Sequence, residues 1–216
     1  MTTLPFLTAA DRMAALPIVR AHLARGGLLA YPTETVYGLG SRARDADVTA
    51  LAALKGRRPG RPFLLLVSSR RMAEEHGLLF SAAATALAEA CWPGPLTLIL
   101  PGGGKLPATL CGAEGGFAVR WTSHRGMSEL IRELGEPLTS TSANRTGGPT
   151  APGVGAIHDL FATAVAAGTL VILDGGVLGN VPPSTIVDCT GPVPRIVRAG
   201  AVPRAELQAR VGRMAP

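Results

Sequence analysis

The 216-residue sequence predicts an α/β fold built on an open, twisted, mixed sheet with flanking helices. Three observations carry this expectation. Helical and extended segments alternate along the chain, and the extended segments are mostly apolar on both faces. No interior stretch is rich enough in Pro, Gly or Ser to split the chain, so one domain is expected across 1–216.

Each element follows from local pattern. A helix is expected over Pro17–Arg25, with proline tolerated in its first turn and Gly26-Gly27 ending it. Leu28–Tyr31 reads as a buried strand that Pro32 stops. A helix over Val48–Lys55 takes Asp47 as its N-cap. The apolar run Phe63–Val67, between Pro62 and Ser68, reads as a central strand. Ser81–Cys91 is Ala-rich and helical, Thr97–Leu100 and Phe117–Trp121 are strands, Met127–Leu134 is a helix, and Leu138–Ser140 is a short strand. Val154–Phe161 is helical, and Leu170–Leu173, Thr185–Val187 and Arg195–Val197 are extended. Pro203 opens a last helix to Val211.

Composition narrows the function classes. A hydrophobic content of 47% excludes a disordered chain, and with 4% aromatics the core must be built from Ala, Val, Leu and Ile. A formal charge of +6 fits anionic partners such as nucleotides, phosphates or RNA, and equally a general solubility charge. Cys91, Cys111 and Cys189 are far apart and odd in number, which fits a reducing compartment. The first residues lack a basic stretch followed by an apolar core, and no apolar run approaches a membrane span, so a soluble cytoplasmic protein is expected. The four histidines are scattered without metal-ligand spacing, so no metal site is expected.

Several segments offer chemistry. Tyr31-Pro32-Thr33-Glu34-Thr35-Val36-Tyr37-Gly38-Leu39-Gly40 follows a strand, where α/β proteins place ligand loops, yet it matches neither common nucleotide fingerprint. Lys55-Gly56-Arg57-Arg58-Pro59-Gly60-Arg61-Pro62 puts four cations within seven residues of a Pro- and Gly-restrained loop. Guanidinium forks held that way suit phosphate or carboxylate, although a helix C-terminus favours cations for structural reasons too. Trp92-Pro93-Gly94-Pro95-Leu96-Thr97 reads as a structural turn. Arg120, inside an apolar strand, must find an anion, either a protein carboxylate or a ligand. In Leu138–Asn144, the alternating Ser140, Ser142 and Asn144 share one face if the stretch is extended, suiting a polar ligand or a loop that satisfies its own backbone.

Together these segments resemble the YrdC-like family of threonylcarbamoyl-AMP synthases. The resemblance rests on Gly-Gly-x-x-Ala-Tyr-Pro-Thr-Glu-Thr at 26–35, Lys55-x-Arg57 with Pro62, and Trp-Pro-Gly-Pro-Leu-Thr at 92–97. It continues through Ala118-Val119-Arg120, Ser142-Ala143-Asn144 and Ser184-Thr185-Ile186, covering about residues 15–200. It implies a YrdC-like sheet with a concave basic groove and a reaction of ATP, L-threonine and bicarbonate that yields threonylcarbamoyl-AMP and pyrophosphate. A partner transferase then passes the group to tRNA. The longer family form adds a C-terminal domain, and the resemblance here leads to the expectation of the single-domain form.

The resemblance also implies roles. Lys55 and Arg57 would be catalytic, and Thr33, Thr35, Arg120, Ser140 and Ser184 would hold threonine. Arg57, Arg61, Gly116, Ser142, Asn144, Thr150 and Arg198 would face the nucleotide, with Mg²⁺ carried on ATP. Two departures stand out: Arg61 replaces an Asn common before the proline, and Leu66 stands where some relatives place a threonine-binding histidine. The same basic groove also fits a non-catalytic module that binds tRNA or double-stranded RNA through its backbone.

Overall fold

The computed structural model describes residues 2–57, 61–178 and 181–215. Ten strands form one sheet: β1 (Thr3–Pro5), β2 (Leu28–Tyr31), β3 (Gly38–Gly40), β4 (Leu64–Val67), β5 (Leu96–Leu100), β6 (Phe117–Trp121), β7 (Leu138–Ser142), β8 (Leu170–Asp174), β9 (Thr185–Asp188) and β10 (Arg195–Arg198). Their order is β1-β8-β2-β3-β7-β4-β6-β5-β9-β10. The β1/β8, β2/β8, β4/β6 and β5/β9 pairs are parallel. The β2/β3, β3/β7, β4/β7, β5/β6 and β9/β10 pairs are antiparallel, so the sheet is mixed, as expected. Among the described residues, eight α-helices flank it: α1 (Ala9–Ala24), α2 (Asp45–Lys55), α3 (Arg70–Glu75), α4 (Ala82–Cys91), α5 (Arg125–Leu134), α6 (Val154–Leu160), α7 (Ala162–Ala166) and α8 (Arg204–Val211). The core is mostly aliphatic, with Leu29, Leu39, Leu65, Leu98, Val119 and Ile172 buried, but its largest fully buried side chains are aromatic: Tyr31, Tyr37, Phe6 and Phe161.

The structure corrects several expected boundaries. Helix α1 begins eight residues before Pro17, which lies inside it. Thr8 and Asp11 form a capping box that starts the helix, and burial of Val19 and Leu23 carries it past the proline. Asp47 is not the N-cap of α2; it is a buried residue of the first turn, and the capping position is Arg44. The third strand, Gly38–Gly40, lies where a loop was expected. A Cβ on Gly40 would sit 2.1 Å from the Thr139 carbonyl oxygen, so only glycine lets these strands close up. Strand β7 runs two residues further than expected, to Ser142, because β3 pairs with Thr141 and Ser142. Ser81 caps α4 through the Ala84 amide, and Trp92 is buried with its indole N–H donating to the Leu96 carbonyl at 2.7 Å, the structural role expected of it.

The Gly26-Gly27 pair has two separate causes. Gly26 takes the left-handed conformation with φ of 77°, which side chains disfavour. Gly27 makes room for the buried His22 ring, whose Nε2 lies 2.2 Å from where a Cβ would stand and 2.9 Å from the Leu28 carbonyl oxygen. That packing role for His22 has no signature in the sequence. Among the described residues, no helix is long and apolar enough to cross a membrane.

Candidate active site

One cavity of about 560 Å³ opens across the middle of the sheet, within the size range of small-molecule sites. Its wall takes Thr33 and Thr35 from the β2–β3 connection, Lys55 from the end of α2, and Arg57 and Arg61 from the loop that follows. Strands β6 and β7 contribute Arg120, Ser140 and Ser142, and Asn144 follows β7. Ser184 and Arg198 close the far side. Leu64 and Ser140 stand side by side on β4 and β7, which places the apolar and hydroxyl portions of the floor next to one another.

Five cations thus line one cavity, and no carboxylate is among the described residues of its wall. Crowding and burial act on three of these cations, Lys55, Arg57 and Arg198. Burial first, and the neighbouring Arg57 second, pull Lys55 down to about 8. Arg57 and Arg198 are lowered by burial and then by Arg61 and Arg120 respectively. A trough whose wall carries an excess of positive charge suits an anion.

The end of α2 shows how sequence places these cations. Gly56 adopts φ of 65°, and the Arg57 amide bonds back to the Ala52 carbonyl, a left-handed helix stop that sends Lys55 and Arg57 to different points of the wall. The Lys55 ammonium donates to the Ser142 carbonyl at 2.6 Å and the Asn144 Oδ1 at 2.5 Å. The Asn144 loop is pinned in turn, because Thr146 donates to the Lys55 carbonyl through both its amide and its hydroxyl. Arg57 braces its own loop: Nε donates to the Arg61 carbonyl at 2.7 Å, Nη2 to the Pro62 carbonyl at 2.9 Å, and the guanidinium lies 4.5 Å over the Phe63 ring. Arg198 donates to the Ser184 carbonyl at 2.7 Å, and the Ser184 hydroxyl meets that of Thr97 at 2.9 Å.

The two threonines of the β2–β3 connection differ. The Thr33 hydroxyl is consumed by the loop, donating to the Val36 carbonyl at 2.7 Å and accepting from the amides of Thr35 and Val36. The Thr35 hydroxyl faces Arg120, 3.4 Å from Nη2. Arg120 itself is buried and meets a carboxylate of the protein: Glu34 Oε1 lies 2.5 Å from Nη2, off the N–H axis, so the pair is an ion contact without a directed hydrogen bond. Arg120 Nε finds no partner among the described residues. Thus the sequence alternatives for Arg120, protein anion or ligand, are not exclusive.

Two residues assigned to the nucleotide lie elsewhere. Gly116 is absent from the wall; a Cβ there would strike Ile99 and Thr190, so it serves the packing of β5 against the Asp188–Thr190 turn. Thr150 does not line the cavity either, although Thr146 and Gly147 of the same loop do. Leu66 is in register with Arg120 on the neighbouring strand but is buried beneath the wall. Arg58, Pro59 and Gly60 lie outside the described residues. Glu34, Thr97, Thr141 and Thr146 are site residues to which the sequence assigned no role.

A family model described as "Telomere recombination", covering Sua5, YciO and YrdC proteins, matches residues 21–200. The chain belongs to the Sua5/YciO/YrdC family. A relative in this family, named threonylcarbamoyl-AMP synthase, from Thiobacillus denitrificans, is 37% identical over 87% of this chain and 98% of its own length. Another of that name, from Pyrococcus abyssi, is 32% identical over 90% of this chain but only 56% of its own length. Among solved structures, P. abyssi Sua5 complexed with L-threonine superposes with a TM-score of 0.89 at 29% identity, over 99% of this chain and 62% of that one. The fold is shared as well with E. coli YciO, at a TM-score of 0.81, 24% identity, and 95% and 97% coverage. The chain therefore spans about three-fifths of the longer Sua5 form and nearly the whole of the shorter relatives.

Proposed function

We propose that this chain is an L-threonylcarbamoyladenylate synthase. It joins L-threonine, bicarbonate and ATP into threonylcarbamoyl-AMP, releasing pyrophosphate, for the threonylcarbamoyladenosine modification of tRNA. The observation that carries this reading is the wall itself: five cations, interleaved hydroxyls and, among the described residues, no carboxylate. The names of the relatives support the same activity.

The chemistry follows from that wall. The threonine amine adds to bicarbonate with loss of water, giving a carbamate. A carbamate oxygen then attacks the α-phosphorus of ATP, a new P–O bond forms, and the bond to pyrophosphate breaks. Every participant is anionic, so the protein must hold mutually repelling groups together and stabilise charge on the phosphoryl oxygens. Lys55, Arg57 and Arg61 meet the phosphates, with Ser142, Asn144 and Arg198 holding the nucleotide. Arg120 takes the threonine carboxylate, while Thr35, Ser140 and Ser184 offer hydroxyls to the rest of the amino acid; Thr33 supports Thr35. No side-chain nucleophile is required.

Magnesium enters as MgATP. Among the described residues the wall has no carboxylate to cage a metal, and there is no cluster of three His, Cys, Asp or Glu. The product passes to a separate transferase that acts on tRNA in the cytoplasm.

Purified protein supplied with MgATP, bicarbonate and L-threonine should release pyrophosphate, and omission of threonine should abolish most of that release. Equal release without threonine would overturn the reading. Tight RNA binding with no threonine-dependent turnover would establish the binding-module alternative instead.

A further inference from the structure

We propose that Glu34 and Thr122 form a buried support that fixes Arg120, making both of them positioning residues for the amino-acid carboxylate. The inference rests on the reading of Arg120 given above. Glu34 is not part of the cavity wall; it lies behind Arg120, with side-chain exposures of 18% and 6% for the pair. Glu34 Oε1 faces the guanidinium. Its other oxygen, Oε2, accepts a short hydrogen bond from the Thr122 hydroxyl.

The support is anchored at its far end. The Thr122 Oγ1 accepts from the His124 amide at 3.2 Å, and His124 Nδ1 accepts from the Met127 amide at 3.2 Å, capping α5. Thr122 is fully buried, so its hydroxyl is held between one donor and one acceptor with no water to replace it. The carboxylate behind Arg120 is therefore suspended from the junction of β6 and α5, two rigid elements.

This arrangement serves recognition of a carboxylate. Burial alone pushes the Glu34 carboxyl up, but the Arg120 charge and the hydrogen bond from Thr122 outweigh it, holding Glu34 below its ordinary value and therefore anionic. An anionic Glu34 free to rotate would lie across Arg120 and compete with the incoming carboxylate. Tethered by Thr122, its Oε1 stays at Nη2, while Arg120 still lines the cavity where a ligand carboxylate would lie. The Thr35 hydroxyl, 3.4 Å from Nη2, marks the cavity side of the same guanidinium.

The test is a kinetic split. Thr122→Val keeps the shape and removes the hydroxyl; it should raise KM for threonine about tenfold or more, the scale of a lost hydrogen bond to a charged group. KM for ATP should stay unchanged, and Thr122→Ser should restore threonine KM. Should Thr122→Val fail to fold, as judged by its melting temperature, Glu34→Gln substitutes for it and should raise threonine KM in the same selective way. Unaltered threonine KM in the folded variants, or a parallel rise in KM for ATP, would overturn the support. A wild-type enzyme whose pyrophosphate release ignores threonine would instead overturn the assignment of Arg120 beneath it.

Discussion

Lys55 gives the most quantitative handle on the site. Its ammonium is buried beside Arg57 and is lowered from 10.5 to about 8, so it titrates within a workable range. Only the protonated form attracts phosphate, and apparent affinity scales with the competent fraction. With a pKa of about 8, roughly three-quarters of the enzyme carries the proton near pH 7.5 and roughly one-tenth near pH 9, so ATP affinity should fall about eightfold between them. The folded value lies below the unfolded one, so the folded enzyme loses this proton before the unfolded chain does, and bound triphosphate, by favouring the charged form, should raise the value again. By the same linkage, the Lys55 contribution to stability becomes more favourable as pH rises from about 8 towards 10.5. Calorimetric titration of ATP without threonine measures the effect. Lys55→Arg, whose guanidinium stays charged, should flatten the profile even if affinity at neutral pH changes. An equal fall in the Lys55→Arg protein, or no fall in the wild type, would refute the reasoning.

Two further substitutions probe the wall. Arg57→Ala should cut turnover by at least ~10²-fold, as expected for lost charge stabilisation, and Arg57→Lys should rescue poorly because an ammonium cannot serve the Arg61 and Pro62 carbonyls together; steady-state pyrophosphate release checks both. Gly200→Ala places a Cβ 2.2 Å from the Pro183 carbonyl oxygen and 2.6 Å from the Ser184 carbonyl carbon. It should push Ser184 out of line, raising KM for threonine more than KM for ATP, whereas Gly191→Ala, with open space around it, should leave both unchanged.

Much of the site was legible because its groups come in short motifs. Lys55-x-Arg57, Ser142-x-Asn144 and Arg120 are each identifiable by type and neighbours, and the fold brings all of them to one cavity. Groups whose roles depend on distant partners were not legible. Thr122 and Glu34 are 88 residues apart in sequence, and nothing local to either marks the contact. Gly116 and Thr150 are close in sequence to wall residues, yet neither lines the cavity. The fold class was readable from alternation of elements. Boundaries failed where a specific contact outweighed propensity: the Thr8–Asp11 capping box started α1 ahead of a proline. Close approach of Gly40 to Thr139 turned a glycine-rich loop into a strand.

The strand order has a consequence for how the molecule comes into being. The wall is assembled from residues as far apart as Thr33 and Arg198, and the pairing of β5 with β9 joins segments separated by most of the second half of the chain. Contacts of such long span form only when most of the polypeptide is available. A nascent chain that has left the ribosome only as far as β8 has its lysine and most of its arginines, but neither Ser184 nor Arg198 to close the trough around them. The trough is therefore completed only when the final strands are in place.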